Sequence, residues 1–363
     1  MQFKHALRKL IFRQNETLPS AGKLLIWQFS WIIPYLFIAN YLERNLFPLR
    51  LLCYTQSDSL DVPHGEAVNL SLCLRQFFFP STEQEFGGQK KCLYEESVEV
   101  LSAPRILHHW DRVCVVRNAP SAHEYRNYVR ETWKFDMEPD IPVIFALGND
   151  GYDVEEEAST YQDIIQFNFV DSYFNLTLKM TLVYKYFFQE LPNLQEIIAV
   201  NDDAIVNATA IKKMNRLKGA TLRGKVSHGY PRLFINSLLW YIPYEMYPKL
   251  CYPPFIQGSG VIATREAAQR ILTDICSFPR FNLDDVFMGI LARCLGINME
   301  HSEGFDENNA NNDFIIFHYQ WLRRSAAQLN SLYRKTIKQK RTLIMLVLSG
   351  HKKMHDVKVF ISM

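Results

Sequence analysis

The chain has 363 residues, with 40 Lys and Arg against 38 Asp and Glu, for a formal charge of +2. That balance excludes a nucleic-acid binder that neutralises many phosphates, and no basic stripe with interleaved aromatics occurs outside the two ends. A hydrophobic share of 48% is ample for a sizeable core, in one large domain or two modest ones.

Residues 24–42 are 19 positions without a charge, close to the roughly 20 apolar residues a helix needs to cross a bilayer. Gln28, Ser30, Pro34 and Asn40 weaken the stretch, whereas Trp27, Trp31, Tyr35 and Tyr41 suit a membrane interface. Lys4, Arg8, Lys9, Arg13 and Lys23 precede it, opposed by Glu16 alone. This bias predicts a cytoplasmic tail over 1–23 and a lumenal remainder. No small-x-small cleavage site follows closely, so a single-pass signal anchor over 24–42 is favoured over a cleaved signal peptide or a buried core helix. Asn69-Leu-Ser71, Asn175-Leu-Thr177 and Asn207-Ala-Thr209 are acceptor sequons that agree with a lumenal body. Seven scattered cysteines lack a CxxC pair, so zinc is not indicated. In an oxidising compartment some should pair, leaving at least one free or intermolecular.

Residues 43–105 show no sustained periodicity and carry Pro63, Pro80, Gly87, Gly88 and Pro104, the character of a stem with little core of its own. The body spans 106–330. Short apolar runs at 113–116, 141–147, 163–169 and 196–201 read as strands, and 121–133 and 175–191 as helices. Ser121 and Glu124 form a capping-box pattern at the start of the first. Strand and helix alternating in this way predict an α/β domain with a mostly parallel central sheet. Beyond Gly224 the pattern loosens into aromatic and Pro-rich segments, followed by a helix over 285–295 and a basic tail over 331–363.

Several constellations carry chemistry. Asn201-Asp202-Asp203 closes the apolar run ending at Val200. Acids at the carboxyl edge of an open sheet can hold Mg²⁺ or Mn²⁺, and through it a diphosphate, although an Asp pair ahead of a helix also serves as an N-cap. Arg126 and Arg130 lie four apart on one helix face, where two guanidiniums can fork onto a diphosphate or form a solvated basic face. Thr177 and Lys179 fit a scaffold, and Lys179 can also reach a phosphate. The segment from Trp240 through Tyr252-Pro253-Pro254-Phe255 to Gly258 and Gly260 suits either an acceptor wall or a packed aromatic loop. Asp284-Asp285 opens a helix, where acids complement the macrodipole; beside a cleft such a carboxylate can act as a general base.

Taken in order, five segments resemble motifs of the β1,3-galactosyltransferase family: RxxIRxTW at 126–133, EExxxYxDII…DxYxNLTLK at 156–179, the acidic triplet at 201–203, YPPYxxGxGY at 252–260 and EDVyvG at 284–289. The resemblance covers roughly residues 113–297. It implies a Rossmann-like nucleotide-sugar fold of the A type (GT-A), Golgi type II topology, a UDP-sugar donor and Mn²⁺. It further implies an inverting hexosyltransferase that moves galactose, or next N-acetylglucosamine or N-acetylgalactosamine, onto a glycan hydroxyl in β1,3 linkage. The acceptor is then an oligosaccharide on glycoprotein or glycolipid, and a homo-oligomer is left open. By position Asp203 matches the metal-binding aspartate, with His318 a looser metal ligand. Asp285 matches the base, with Asp284 beside it, while Arg126, Arg130, Asp202 and Lys179 stand on the donor side. Asn201 departs from the family's first acid; it keeps a carbonyl oxygen that can support the metal through water. The same departure favours an alternative, a catalytically silent lumenal relative that binds glycan or a partner enzyme.

Overall fold

The computed structural model describes residues 51–53, 69–79, 92, 98–233, 240–279, 281–307, 313–319 and 323–338. The expected anchor at 24–42 and the tail beyond 338 lie outside them; among the described residues no helix is long and apolar enough to cross a membrane. The chain divides into units of residues 1–52 and 53–363, and every element named below belongs to the second.

Its centre is an eight-stranded sheet in the order β1–β4–β3–β2–β5–β8–β7–β9. These are β1 (Val100–Ser102), β2 (Arg112–Arg117), β3 (Val143–Asn149), β4 (Ile164–Val170), β5 (Glu196–Asn201), β7 (Thr221–Ser227), β8 (Phe255–Thr264) and β9 (Asn298–His301). A two-stranded pair joins β6 (Ile205–Val206) to β10 (Ile316–Phe317). β4, β3, β2 and β5 run parallel, while β8 is antiparallel to both β5 and β7. The fold is α/β with a mostly parallel sheet, as the alternation predicts. Period-two side-chain geometry divides each central strand between two cores. Val113 and Val115 of β2 and Ile197 and Ala199 of β5 enter one, and Cys114, Val116, Ile198 and Val200 enter the other. Both faces of the strands are therefore apolar, as a sheet covered on both sides requires.

Helices α1 (Leu70–Phe77), α4 (Leu176–Glu190), α6 (Arg265–Asp274) and α7 (Asp284–Cys294) cover the first face. Helices α2 (His123–Val129), α5 (Ala208–Lys213) and α8 (Ala326–Tyr333) cover the second, and α3 (Glu155–Tyr161) follows β3. β8 was not legible, because Gly258, Ser259 and Gly260 interrupt its apolar pattern; it nevertheless lies in the middle of the sheet. The expected capping box at Ser121 and Glu124 does not form. The first residue before α2 is Ala122, without a side-chain cap, and the Ser121 N–H instead donates to Asp150 at 3.4 Å.

The expected stem is also corrected. Cys73, Leu74, Phe77 and Phe78 are buried in the main core, and β1 adds an edge strand to β4. Disulfides Cys53–Cys251, Cys73–Cys294 and Cys92–Cys276 bind this N-terminal region to the body. Among the described residues Cys114 is the free cysteine, buried in β2. Two of the sequon asparagines are helix caps: Asn69 accepts from Leu72 N–H and Asn207 from Ala210 N–H.

Gly289 explains one motif glycine. A Cβ there would stand 2.5 Å from the Pro254 carbonyl oxygen and 2.7 Å from Phe255 Cβ, so α7 lies against the start of β8 with no room for a methyl. Gly289→Ala is expected to destabilise the protein by about 1–3 kcal/mol through overpacking, read as a lowered unfolding temperature. Equal stability would sink this account of the contact.

Candidate functional site

The parallel strands end together. Arg117, the last residue of β2, pairs in register with Asn201, the last of β5. Arg117 donates to Asp284 Oδ2 at 2.9 Å, to Asn201 Oδ1 at 2.6 Å and to the Gly258 carbonyl of β8. One guanidinium thus ties three strands to the first turn of α7, where Asp284 and Asp285 lie.

Next in line, Asn118 organises the neighbouring residues. Its side-chain amide donates to Asp202 Oδ2 at 2.6 Å, its side-chain oxygen accepts from Arg126 at 2.5 Å, and its backbone carbonyl accepts from Lys179 Nζ at 2.7 Å. Arg323 donates to both oxygens of Asp202 at 2.7 Å. The turn after Asp203 is fixed from below, because Tyr128 Oη and Trp133 Nε1 both donate to the Ala204 carbonyl, at 3.0 and 3.2 Å. The Asp pair is therefore no helix cap; the cap of α5 is Asn207.

Asp203 faces His318, with Nε2 3.4 Å from Oδ1, and the other ring nitrogen lies 3.1 Å from Asp306 Oδ1. Burial alone would raise Asp203, but the hydrogen bond and charge of His318 outweigh it and hold the carboxyl below its ordinary value. Burial would likewise lower His318, yet Asp203 and Asp306 together raise it to about 9. Asp202 is lifted above its ordinary value by burial, with Asp203 beside it, in spite of Arg323 and Asn118.

The acid pair on α7 is the opposite case. Asp285 is raised to about 7 by burial and by Asp284, partly offset by the Val286 N–H, which donates to Asp285 Oδ1 at 2.8 Å, and by Arg117. Tyr173, raised by burial and by both acids, hydrogen-bonds with Trp240, which is half exposed. Trp240 is the aromatic of its segment that stands at this rim; Tyr252 and Phe255 are core residues.

Several sequence-based assignments move. Arg126 is fully buried. Its donors go to Glu157, Asn118 and the carbonyls of Ala119 and Pro120, so it shapes the loop after β2 and does not face a ligand. Arg130 is bound to Glu157 and forks onto Asp163, with Tyr161 stacked at 3.8 Å. Lys179 is buried, and burial lowers its pKa against the pull of Asp171, to which it donates at 2.9 Å. It supports the rim through the Asn118 carbonyl, in keeping with its scaffold reading. Asn201 spends its carbonyl oxygen on Arg117, so only Asp203 and His318 of the expected metal set face one another. Among the described residues no cluster of three or more His, Cys, Asp and Glu side chains is arranged to hold a metal. Arg117, Asn118, Asp306 and Arg323 were not singled out from sequence. For the first two a signal existed: they directly follow the apolar run of β2.

Residues 124–303 match the family model described as Galactosyltransferase. The chain is 29% identical over 204 residues to lactosylceramide 1,3-N-acetyl-beta-D-glucosaminyltransferase A of Xenopus laevis, covering 50% of this chain and 54% of that one. It is 29% identical over 232 residues to UDP-GlcNAc:betaGal beta-1,3-N-acetylglucosaminyltransferase 7 of Rattus norvegicus, covering 56% and 57%. The chain thus spans a little over half the length of these curated relatives. Among solved structures, the glycosyltransferase GlyE of Streptococcus pneumoniae TIGR4 is 12% identical, with TM-score 0.35, over 63% of this chain and 64% of that one.

Arg126→Gln should cost about 1–3 kcal/mol, since Glu157 keeps Arg130 but the Asn118 side-chain oxygen and the Ala119 and Pro120 carbonyls lose their buried donor; calorimetric unfolding reads the loss, and UDP affinity of the folded fraction should be unchanged. A tenfold weakening of UDP binding with normal stability would return Arg126 to the ligand. Asp285 carries the opposite sign. A carboxyl whose folded pKa lies above its unfolded value of roughly 3.9 favours the fold at low pH and loses that contribution as pH rises through about 7. Asp285→Asn should therefore raise the unfolding temperature more at pH 8 than at pH 5, and an equal shift at both would refute the assignment.

Proposed function

Because the chain belongs to the galactosyltransferase family, we propose that it is an inverting, UDP-sugar-dependent hexosyltransferase forming a β1,3 linkage. The observation that carries this is the meeting of Asp284-Asp285 with Asn201-Asp202-Asp203 across Arg117 at one sheet edge. The GT-A fold belongs to the proposal, and the parallel β4–β3–β2–β5 core supports it. Among donors, N-acetylglucosamine moves ahead of galactose, since the matched relatives are named for its transfer, one to lactosylceramide and one to β-galactose. A galactose-ended glycan on lipid or protein is the corresponding acceptor.

In the reaction Asp285 takes the proton from the acceptor hydroxyl as that oxygen attacks the anomeric carbon and UDP leaves from the opposite face. A base works best with a pKa near the working pH, and the buried acid pair brings Asp285 there. Asp284, held by Arg117, keeps the first turn of α7 in place. Trp240 offers an exposed face on which a sugar ring can stack. Asp203 and His318 fit a divalent cation in chemistry: a hard carboxylate oxygen, an imidazole nitrogen, and Asp306 orienting the ring from behind. When bound, Mn²⁺ supplies charge that stabilises the departing diphosphate. Asn201, with its side-chain oxygen committed to Arg117, would not be a direct ligand. We extend the proposal to a Golgi membrane location with a signal anchor; disulfides joining residues 53, 73 and 92 to the body favour an oxidising compartment.

The commitment of Asn201 also favours a second reading, a silent relative that binds glycan without turnover. Titration of the protein with UDP and Mn²⁺ in a calorimeter separates the two. Metal-dependent heat, lost in Asp203→Ala, is expected of the enzyme. Turnover of UDP-N-acetylglucosamine with lactose-type acceptors should rise with pH through about 7, the region to which Asp285 is raised. It should fall at least a hundredfold in Asp285→Asn, on the order of a lost general base, with UDP binding kept. Full turnover in that variant would reject Asp285 as the base.

A further inference from the structure

Beneath the acid pair is a small recess of about 30 Å³ between β8, α4 and α7. Its walls are mainly apolar, among them Met180 and Met288, but Arg117, Asp284, Asp285 and Tyr184 also line it. Two of these present buried polar atoms with no hydrogen-bond partner, Arg117 Nε and the Tyr184 hydroxyl. Tyr184 is 1% exposed, and its hydroxyl feels the charges of both Arg117 and Asp284. A buried hydroxyl without a partner is destabilising, and such groups in native proteins are normally paired with protein or ordered water. One water needs about 10–15 Å³ and two to four polar partners. The recess offers the volume, and its polar lining includes these four groups as well as Thr177 and Gln257.

We propose that this recess is a water site linking Tyr184 and Arg117 to Asp284-Asp285, and that Tyr184 is thereby a positioning residue for the base. One orientation of the water serves all four groups. Arg117 Nε can only donate, and Tyr184 Oη donates to the same oxygen, which fills both lone pairs of the water. Its two hydrogens are then left for the carboxylates. A carboxylate receiving such a bond holds its charge more easily, so the water moderates what burial and mutual repulsion do to Asp285. The other groups facing Asp285 are Asp284 on its own helix, Arg117 from β2, Tyr173 from the turn before α4, and Tyr252 from the segment before β8. The catalytic part of this inference rests on the reading of Asp285 as the base.

Tyr184→Phe in the full-length chain tests both parts, because it removes one oxygen and fills no space. If the recess is hydrated, the variant loses a water contact and its unfolding temperature falls by about 1–4 °C. If it is dry, deleting an unpartnered hydroxyl raises the unfolding temperature, and the water site is overturned. For the positioning role, the acid limb of turnover against pH should move upward by about half a unit, a size set by roughly 0.7 kcal/mol of lost carboxylate stabilisation, with KM for the donor unchanged. An acid limb that superimposes on the parent's, or a changed KM with the same limb, overturns it. A parent chain that turns over no UDP-sugar overturns the catalytic reading alone, and the sign of the temperature shift still decides the water.

Discussion

The candidate site depends on one guanidinium. Arg117 closes β2 and reaches the end of β5, Gly258 within β8 and the start of α7, three elements separate in sequence. Without a cation there, Asp284 and Asp285 would face each other across a buried turn with little to offset their repulsion. The charge also explains why this chain tolerates Asn201. A neutral amide can accept from Arg117 as a carboxylate would, and Asp284 then takes the remaining share of the positive charge.

Two carboxylates at the same rim are driven in opposite directions by their surroundings. Asp203 has His318 in front and Arg323 nearby, so it stays ionised. Asp285 has Asp284 beside it and is largely withdrawn from water, so its proton is held until near neutrality. Environments that separate two acids in this way suit the different tasks proposed for them, one holding positive charge and one accepting a proton. The arrangement is costly to the fold. If Asp285 works as the proposed base, its withdrawal from water is a place where stability is given up for chemistry.

The sequence revealed the sheet's parallel half and the strand ends, because runs such as Val113–Val116 and Ile197–Val200 are apolar on both faces and few other structures allow that. It revealed the acid pairs by their adjacency. It misjudged β8, whose glycines and serine imitate a loop: Gly260 is small because Ile316 lies where a Cβ would be. It misread Arg126 and Arg130 because spacing along a helix reports which residues share a face, not what that face meets. Here it meets Glu157 and Asp163, brought in by α3 and the start of β4. Arg323 and Asp306 were illegible for a simpler reason. Arg323 depends on a long-range approach to Asp202, and Asp306 on its meeting with His318, and no local pattern encodes either.

The disulfides place a boundary where periodicity does not. A fragment trimmed to begin at residue 106, where strands first become readable, would leave Cys251, Cys276 and Cys294 as bare thiols and remove α1 from beneath α7. The far end of the helix carrying Asp284 and Asp285 would then lose its covalent tether to Cys73. Any shortened version meant for crystals or assays should therefore start ahead of Cys53, and its thiol content would report at once whether the three crosslinks had closed.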